Sequence, residues 1–279
     1  MTMPRVVAAE TLDHLATDDP DAIRSRRDLQ LVNRVMGTRR IILGTLCEFM
    51  LTIKHKELKE LDDCKEVKAL RILELGAGDG TLMLTVAEAL KNITTANKNA
   101  NENEKKPLID LTLLDRQTLV TPTTITSYAA LGWAAKSTIM DVLDWAETNT
   151  DAKLKPYFSP RWDLIIVNLF LHHFEGAQLA ILLNAIESRA DRFFACEPSR
   201  GWFALASSHL IGALGVNAVT REDAVLSVRA GFRDTELTAL WPAPAQWSLR
   251  EYSAGLFSHC FKGERRHLHH PGEFNANQL

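Results

Sequence analysis

The chain has 279 residues, of which 46% are hydrophobic and 24% are charged. These fractions are close to those of average globular proteins and exclude a wholly disordered chain, and the length allows one large domain or one domain with a lid. The formal net charge of −3 gives no electrostatic reason to expect a nucleic-acid partner.

The first 66 residues are predicted to form a charged helical cap. DDPD at residues 18–21 is typical of a helix start, because an acidic cap precedes proline in the first turn. This helix places four apolar residues at helical spacing, namely Leu29, Val32, Val35 and Met36. A second helix is predicted over about residues 40–58, with four residues facing inward: Ile41, Leu46, Met50 and Leu51.

Three roles remain open for this cap. It could cover one edge of the main domain, close over a substrate as a lid, or pair two chains in a homodimer. Arg34, Arg39 and Arg40 would make a lid somewhat attractive to anions, although arginines on helices are usually solvated.

Residues 67–279 are predicted to form the main domain, because strands and helices alternate from Lys68 onward. Strands are predicted at 71–75, 111–114, 136–140, 163–167 and 192–196, helices at 81–90, 124–131 and 178–190, and closing strands at 233–240 and 256–262. This alternation indicates an α/β, Rossmann-like fold with a doubly wound, mostly parallel sheet, whose strand carboxyl ends share the ligand-binding edge. Residues 97–106 are predicted to be a polar surface loop, and residues 272–279 a frayed end.

A glycine turn follows the first strand, in the segment RILELGAGDG. Gly76, Gly78 and Gly80 allow positive φ angles and a close approach of the backbone to a ligand. The spacing differs from the G-x-G-x-x-G of dinucleotide folds, since Thr81 stands at the third glycine position. Glu74 precedes the turn, where its carboxylate would repel a pyrophosphate. Both features disfavour an NAD-dependent oxidoreductase.

Two further acids close the next two predicted strands, Asp115 the second and Asp141 the third. A carboxylate at the second strand can accept both hydroxyls of an adenosine ribose. One at the third can accept from the adenine amino group, while the Val142 N–H donates to the ring. Each acid alone could equally be a helix cap. Together with Glu74, however, they place three acids at successive strand ends beside the glycine turn.

Five segments together resemble the class I S-adenosylmethionine-dependent methyltransferases. They are ILELGAGDGT, LTLLDRQ, IMDVLDWA, WDLIIVNLFLHHF and FFACEPSRG, and the resemblance covers roughly residues 68–262. More narrowly, the chain is similar to small-molecule methyltransferases found beside bacterial type III polyketide synthases. This likeness is carried by DDPDAIRSRRDLQLVNRVMG, NLFLHHF and NAVTREDAVLSVRAGFRDTEL.

The resemblance implies S-adenosyl-L-methionine as the cofactor and S-adenosyl-L-homocysteine as its product. The glycine turn would pack under the methionine part, and Glu74 would receive the ammonium group. Asp115 would receive the ribose and Asp141 the adenine, while Asn168 would offer backbone contacts near the methionine part. The candidate cofactor contacts also include Ala77, Arg116, Val142 and Leu169.

The segment NLFLHHF leaves the fourth strand at the ligand-binding edge and supplies the candidate proton acceptor. Adjacent histidines cannot both face one pocket from an extended segment, and either could instead satisfy a backbone group. His173 is the preferred base and His172 the next, because similar L-H-H elements in methyltransferases place a histidine beside the sulfonium. Glu197 ends the fifth strand and could orient the histidine or receive the substrate, although pairing with Arg200 is preferred.

The resemblance implies O-methylation of a phenolic or polyketide-like small molecule, with an imidazole removing the acceptor proton. C- or N-methylation of a small metabolite and non-catalytic cofactor binding remain alternatives. Asn168-Leu-Phe stands where a D/N-P-P-Y/F motif would indicate methylation of adenine or cytosine. No acidic cluster suits magnesium, so a cation-independent reaction without a metal site is predicted.

The cysteines and the apolar runs indicate the compartment of the protein. No C-x-x-C pair or zinc spacing is present among Cys47, Cys64, Cys196 and Cys260. Residues 1–10 are too weakly apolar for a signal peptide, and no run reaches the roughly 18 residues of a membrane span. A cytoplasmic protein with free thiols and no membrane partner is therefore expected.

Four aromatics could line the pocket, but core positions are preferred for at least half of them: Trp202, Phe203, Trp241 and Trp247.

Overall fold

The computed structural model describes residues 3–59, 69–96, 109–148 and 161–266, so the predicted loop at 97–106 and the predicted frayed end at 272–279 lie outside it. The strands are β1 (Leu70–Leu75), β2 (Ile109–Asp115), β3 (Trp133–Ile139), β4 (Leu164–Asn168), β5 (Arg192–Pro198), β6 (Trp247–Ala254) and β7 (Ser258–Arg265). The helices are α1 (Pro20–Met36), α2 (Thr38–Lys59), α3 (Thr81–Ala96), α4 (Pro122–Ala130), α5 (Val142–Glu147), α6 (Gly176–Arg189), α7 (Trp202–Leu210), α8 (Ala218–Ala230) and α9 (Glu236–Leu240).

The strands form one sheet in the order β3-β2-β1-β4-β5-β7-β6. Neighbours among β1 to β5 run parallel, whereas β7 pairs antiparallel with both β5 and β6. The predicted doubly wound, mostly parallel sheet is therefore confirmed. The chain moves outward from β1 to β3 and then returns to place β4 on the other side of β1. Such a reversal opens a crevice at the carboxyl ends of the two central strands.

Alternating side chains of the central strands fill two hydrophobic cores, one on each face of the sheet. In β4, Leu164 and Ile166 pack with α2, α3 and α4, whereas Ile165 and Val167 pack with α5 and α6. Both faces of the sheet are therefore covered by helices, which explains why the strands are almost continuously apolar.

The two N-terminal helices occur as predicted, and in α2 the predicted inward residues Ile41, Leu46 and Met50 pack on the core. Asp19 caps α1 by accepting hydrogen bonds from the backbone N–H groups of Asp21 and Ala22. The predicted apolar stripe of α1 lines a cavity instead of the core. The buried hydrophobic residues of α2 are Ile42, Leu46 and Phe49. The prediction that Leu51 faces inward is wrong: it is 60% exposed, because five residues along a helix lead from Leu46 toward the opposite side.

The predicted closing strand at 233–240 is also wrong. It contains α9, whose first backbone N–H groups lie against a carboxylate, since those of Leu237 and Thr238 donate to Glu251. The strand that pairs with β7 is β6 instead. Among the described helices, none combines the length and apolar character needed to cross a lipid bilayer.

We expect the same glycine-to-alanine change to act in opposite directions at two positions. Gly44 lies inside α2 with no atom within 4 Å of an added Cβ, so Gly44→Ala should raise the free energy of unfolding by about 0.5–1 kcal/mol. At Gly231 an added Cβ would lie 2.2 Å from the carbonyl oxygen of Pro198, and Gly231→Ala should lower it by about 1–3 kcal/mol.

Urea denaturation of both variants measures these effects. An equal change at the two glycines would contradict the packing described around Gly231.

Candidate active site

The crevice at the carboxyl ends of β1 and β4 is part of a cavity of about 1480 Å³. Its walls come from the sheet edge, from the N-terminal segment (residues 3–19), and from α1, α7 and α8. Sites for one drug-sized ligand span roughly 300–1,000 Å³. The cavity is therefore large enough for two small molecules side by side.

The glycine turn joins β1 to α3 at the floor of this cavity. The N–H groups of Gly76 and Ala77 donate to the Leu114 carbonyl at 2.9 and 3.1 Å, which ties the turn to β2. Gly76 has a φ of 69°, and a Cβ there would lie 2.4 Å from the Phe170 ring. Glycine is therefore required for both backbone angle and space. Gly80 packs toward Leu113 and is not a wall residue of the cavity.

Glu74 is the most unusual acid of the site. It is 3% exposed, and its Oε2 has no hydrogen-bond partner among the described residues. Burial, reinforced by the nearby charges of Asp79 and Asp115, raises the pKa of Glu74 to about 8. A buried carboxyl oxygen without a partner is costly in a native protein. It therefore suits a ligand that brings a donor or a positive charge.

Asp115 and Asp141 both line the cavity, and each also organises the backbone around it. The Asp115 carboxylate accepts the N–H of Gly78 and that of Gln117, each at 2.9 Å. Asp141 caps α5 by accepting the Leu143 N–H at 2.8 Å. Val142 begins this helix, where backbone N–H groups have no intrahelical partner. Asp141 is therefore both the N-terminal cap of α5 and a wall residue of the cavity.

Two residues at the end of β4 present unusual polar and backbone geometry to the cavity. Asn168 donates through Nδ2 to the Asn33 side chain of α1 at 3.1 Å, while its buried Oδ1 has no partner among the described residues. Leu169 has a φ of 50°, a conformation that costs a non-glycine residue energy and often marks functional sites.

Glu197 holds the strained loop that follows β4. Its fully buried carboxylate accepts the backbone N–H groups of Phe170, Leu171 and His172 at 2.9–3.4 Å, and hydrogen-bonds His172 Nδ1 at 2.8 Å. The preferred pairing of Glu197 with Arg200 is wrong, because Arg200 pairs with Glu236 instead. Glu197 is not a wall residue of the cavity, so it acts through the loop.

The adjacent histidines differ in environment. Burial alone would lower the pKa of His172, but its hydrogen bonds to Glu10 at 3.3 Å and to Glu197 outweigh burial and raise that pKa to about 9. His173 is more exposed, at 20% of its side chain against 2% for His172, and its Nδ1 lies 3.2 Å from the Asp13 carboxylate. His172 thus has both ring nitrogens engaged, whereas the contact with Asp13 involves one nitrogen of His173.

The N-terminal segment brings two acids to these histidines. Burial would raise the pKa values of Glu10 and Asp13, yet the hydrogen bonds from His172 and His173 lower them. Arg116 also pairs with Asp13, through an N–O distance of 3.2 Å. The candidate cofactor residue Arg116 therefore lines the cavity while its guanidinium contacts the segment.

The sequence interpretation missed Glu10, Asp13 and Tyr128, whose hydroxyl donates to the Gly80 carbonyl at 2.6 Å. No local pattern marks them, because all three act over long sequence separations. The aromatic prediction is confirmed for Trp241 and Trp247, which are core residues. The other two aromatics of that set, Trp202 and Phe203, are exposed.

We expect Glu197→Gln to loosen the loop after β4. Glutamine removes the charge and turns an N–H group toward backbone donors, so stability should fall by about 1.5–3 kcal/mol. Amide hydrogen exchange at residues 170–172 should accelerate, as measured by mass spectrometry. Glu175→Gln is the matched control, because Glu175 is exposed and makes no side-chain cap to α6. Equal exchange in the two variants would contradict the role given to Glu197.

The sequence matches no family model and no curated protein. A solved protein from Nostoc punctiforme assigned as an O-methyltransferase is 12% identical, with a TM-score of 0.51 over 94% of this chain and 64% of the other. Magnesium protoporphyrin IX methyltransferase from Synechocystis with bound S-adenosylhomocysteine is 13% identical, with a TM-score of 0.45 over 83% of each chain. At these identities the Nostoc structure supports the fold of the chain.

Proposed function

We propose that this protein transfers a methyl group from S-adenosyl-L-methionine to a small molecule, with O-methylation of a phenolic or polyketide-like acceptor as the leading reaction. One observation carries the proposal. Gly76 and Gly78 of the glycine turn, the acids Glu74, Asp115 and Asp141, and His173 all line the same cavity. That combination would place a nucleoside site and a proton acceptor in one cavity.

The unpartnered oxygens of Glu74 and Asn168 fit the ammonium group of the cofactor, which would satisfy both. Asp115 is held by two backbone N–H groups in a position to accept the ribose hydroxyls, and Asp141 with the Val142 N–H would receive the adenine. The backbone of the glycine turn and of Leu169 would enclose the methionine part. When bound, the cofactor supplies a sulfonium-activated methyl group.

His173 is the proposed general base. With Nδ1 held by Asp13, its Nε2 is available to take the proton from an acceptor hydroxyl. His172 is buried and engaged at both nitrogens, so we assign it and Glu197 to positioning the loop. This proton transfer requires no metal ion.

The acceptor would occupy the part of the cavity beneath α1 and α7. Its wall is largely apolar, through residues such as Leu29, Val32, Leu210, Ile211 and Phe257, which suits an aromatic molecule. Arg34, Arg39 and Arg40 also line the cavity. We propose that residues 1–66 act as a cap over this site, since their Glu10 and Asp13 contact both histidines. Mass spectrometry of products from phenols, resorcinols and amines would separate O-methylation from C- and N-methylation.

We expect the affinity for S-adenosylhomocysteine to rise with pH between 6 and 8. The Glu74 carboxyl is protonated below its pKa of about 8, whereas an ammonium ligand favours the ionised carboxylate, so a proton must leave on binding. The gain should approach at most about tenfold per pH unit, the limit for one linked proton. Titration calorimetry measures it.

Glu74→Gln should bind more weakly at pH 8 and lose this pH dependence, whereas His173→Ala should retain it. Failure of the wild-type protein to bind at micromolar concentrations would exclude the cofactor assignment.

We expect His173→Ala to lower kcat by about 100-fold or more, the usual contribution of a general base. Cofactor affinity should stay within about twofold, because the general base is assigned to the acceptor proton and not to cofactor contacts. Steady-state kinetics with a methylated phenol as product measures the change.

His209→Ala is the matched control, because His209 is exposed on α7 and is not a wall residue of the cavity. Wild-type turnover in His173→Ala would show that another group, or none, accepts the proton.

A further inference from the structure

We infer that Glu10, His172 and His173 form a binding site for a divalent transition-metal ion of the zinc class. Each residue offers one ligand atom, and these atoms lie within 4.8 Å of one another. A tetrahedral zinc ion with bonds of about 2.0–2.1 Å separates its ligand atoms by about 3.3 Å. His172 Nε2 and Glu10 Oε1 are 3.3 Å apart, so this pair already has the required separation, and a ligand atom of His173 lies within 4.8 Å of both.

The groups behind the histidines are those that support metal ligands. A metal-bound histidine usually donates its other ring nitrogen to a carboxylate, which fixes the tautomer and the ring orientation. Here His172 Nδ1 lies 2.8 Å from Glu197, and His173 Nδ1 lies 3.2 Å from Asp13. The Nε2 of His173 is the nitrogen not used by Asp13. The Nε2 of His172 faces Glu10, and an ion bound between these two groups would displace the proton that they share.

Carboxylates around the two imidazoles offset the positive charges nearby. Three carboxylates surround the two imidazoles, those of Glu10, Asp13 and Glu197. Arg116 pairs with Asp13, and Arg5 donates to the carbonyls of His172 and Phe174. Two histidines and one glutamate are a known zinc ligand set that leaves a fourth position open. All three ligands line the cavity, so the open position faces it.

A metal ion at this site would occupy the Nε2 lone pair that the proposed base uses. Zinc and the acceptor proton therefore compete, and zinc should inhibit methyl transfer. The inhibition depends on the proposed function, whereas the binding of zinc does not.

The experiment is calorimetric titration of ZnCl₂ into full-length protein freed of metal with EDTA, with the visible spectrum of bound Co²⁺ as a second measurement. We expect one site in the wild-type protein. Its affinity should fall at least about tenfold in Glu10→Gln and His173→Ala and stay unchanged in the exposed control His209→Ala. Circular dichroism verifies that each variant folds, and the near-isosteric Glu10→Gln gives a result even if a histidine variant does not fold.

The chain also carries His267, His269 and His270, which could bind zinc independently. A variant with these three replaced by alanine should retain the site. Loss of binding in that variant, or equal affinity in wild type and Glu10→Gln, would overturn the assignment.

The activity measurements separate the two proposals. Methyl transfer should persist in EDTA and fall in proportion to zinc occupancy. Activation by zinc would overturn the inhibitory role. If no acceptor is methylated, the proposed function fails, but the zinc titration still decides the metal site.

Discussion

The buried carboxylate of Glu197 is the interaction on which the reactive part of the cavity depends. A buried charge is costly unless it is hydrogen-bonded, and here three backbone N–H groups and one imidazole supply the bonds. In return, the carboxylate fixes the loop after β4. That loop contains the strained Leu169 and both histidines. The parallel sheet brings β4 and β5 side by side. The contact between Glu197 at the end of β5 and the loop after β4 therefore follows from the order of the strands.

The sheet and the strand-end acids could be predicted because their signals are local. Strands buried on both faces are apolar throughout. The glycine turn and the acids Glu74, Asp115 and Asp141 lie at or just after the ends of β1, β2 and β3, which are neighbours in the sheet. The capping residue of α1 was predictable for the same reason, since the Asp19 side chain accepts hydrogen bonds from the first turn of that helix.

Residues that act across the fold could not be predicted. Glu10 meets His172 across 162 positions of the chain, and no periodicity encodes that contact. Arg200 is close to Glu197 in sequence, but its preferred partner Glu236 is supplied by a later helix. The error at 233–240 has a similar origin, because Glu251 of β6 lies against the start of α9 from a distant position.

The attachment of the N-terminal segment has a consequence for communication along the cavity. Asp223 of α8 accepts the N–H groups of Thr11 and Leu12, while Asp13 bridges Arg116 at the end of β2 and His173 beyond β4. Displacement of this segment would break both contacts of Asp13 at once. A ligand near β2 that moves this segment would therefore also change the contact of the imidazole near β4, and such coupling is reciprocal. Two ligands in this cavity should therefore influence each other's affinity without touching.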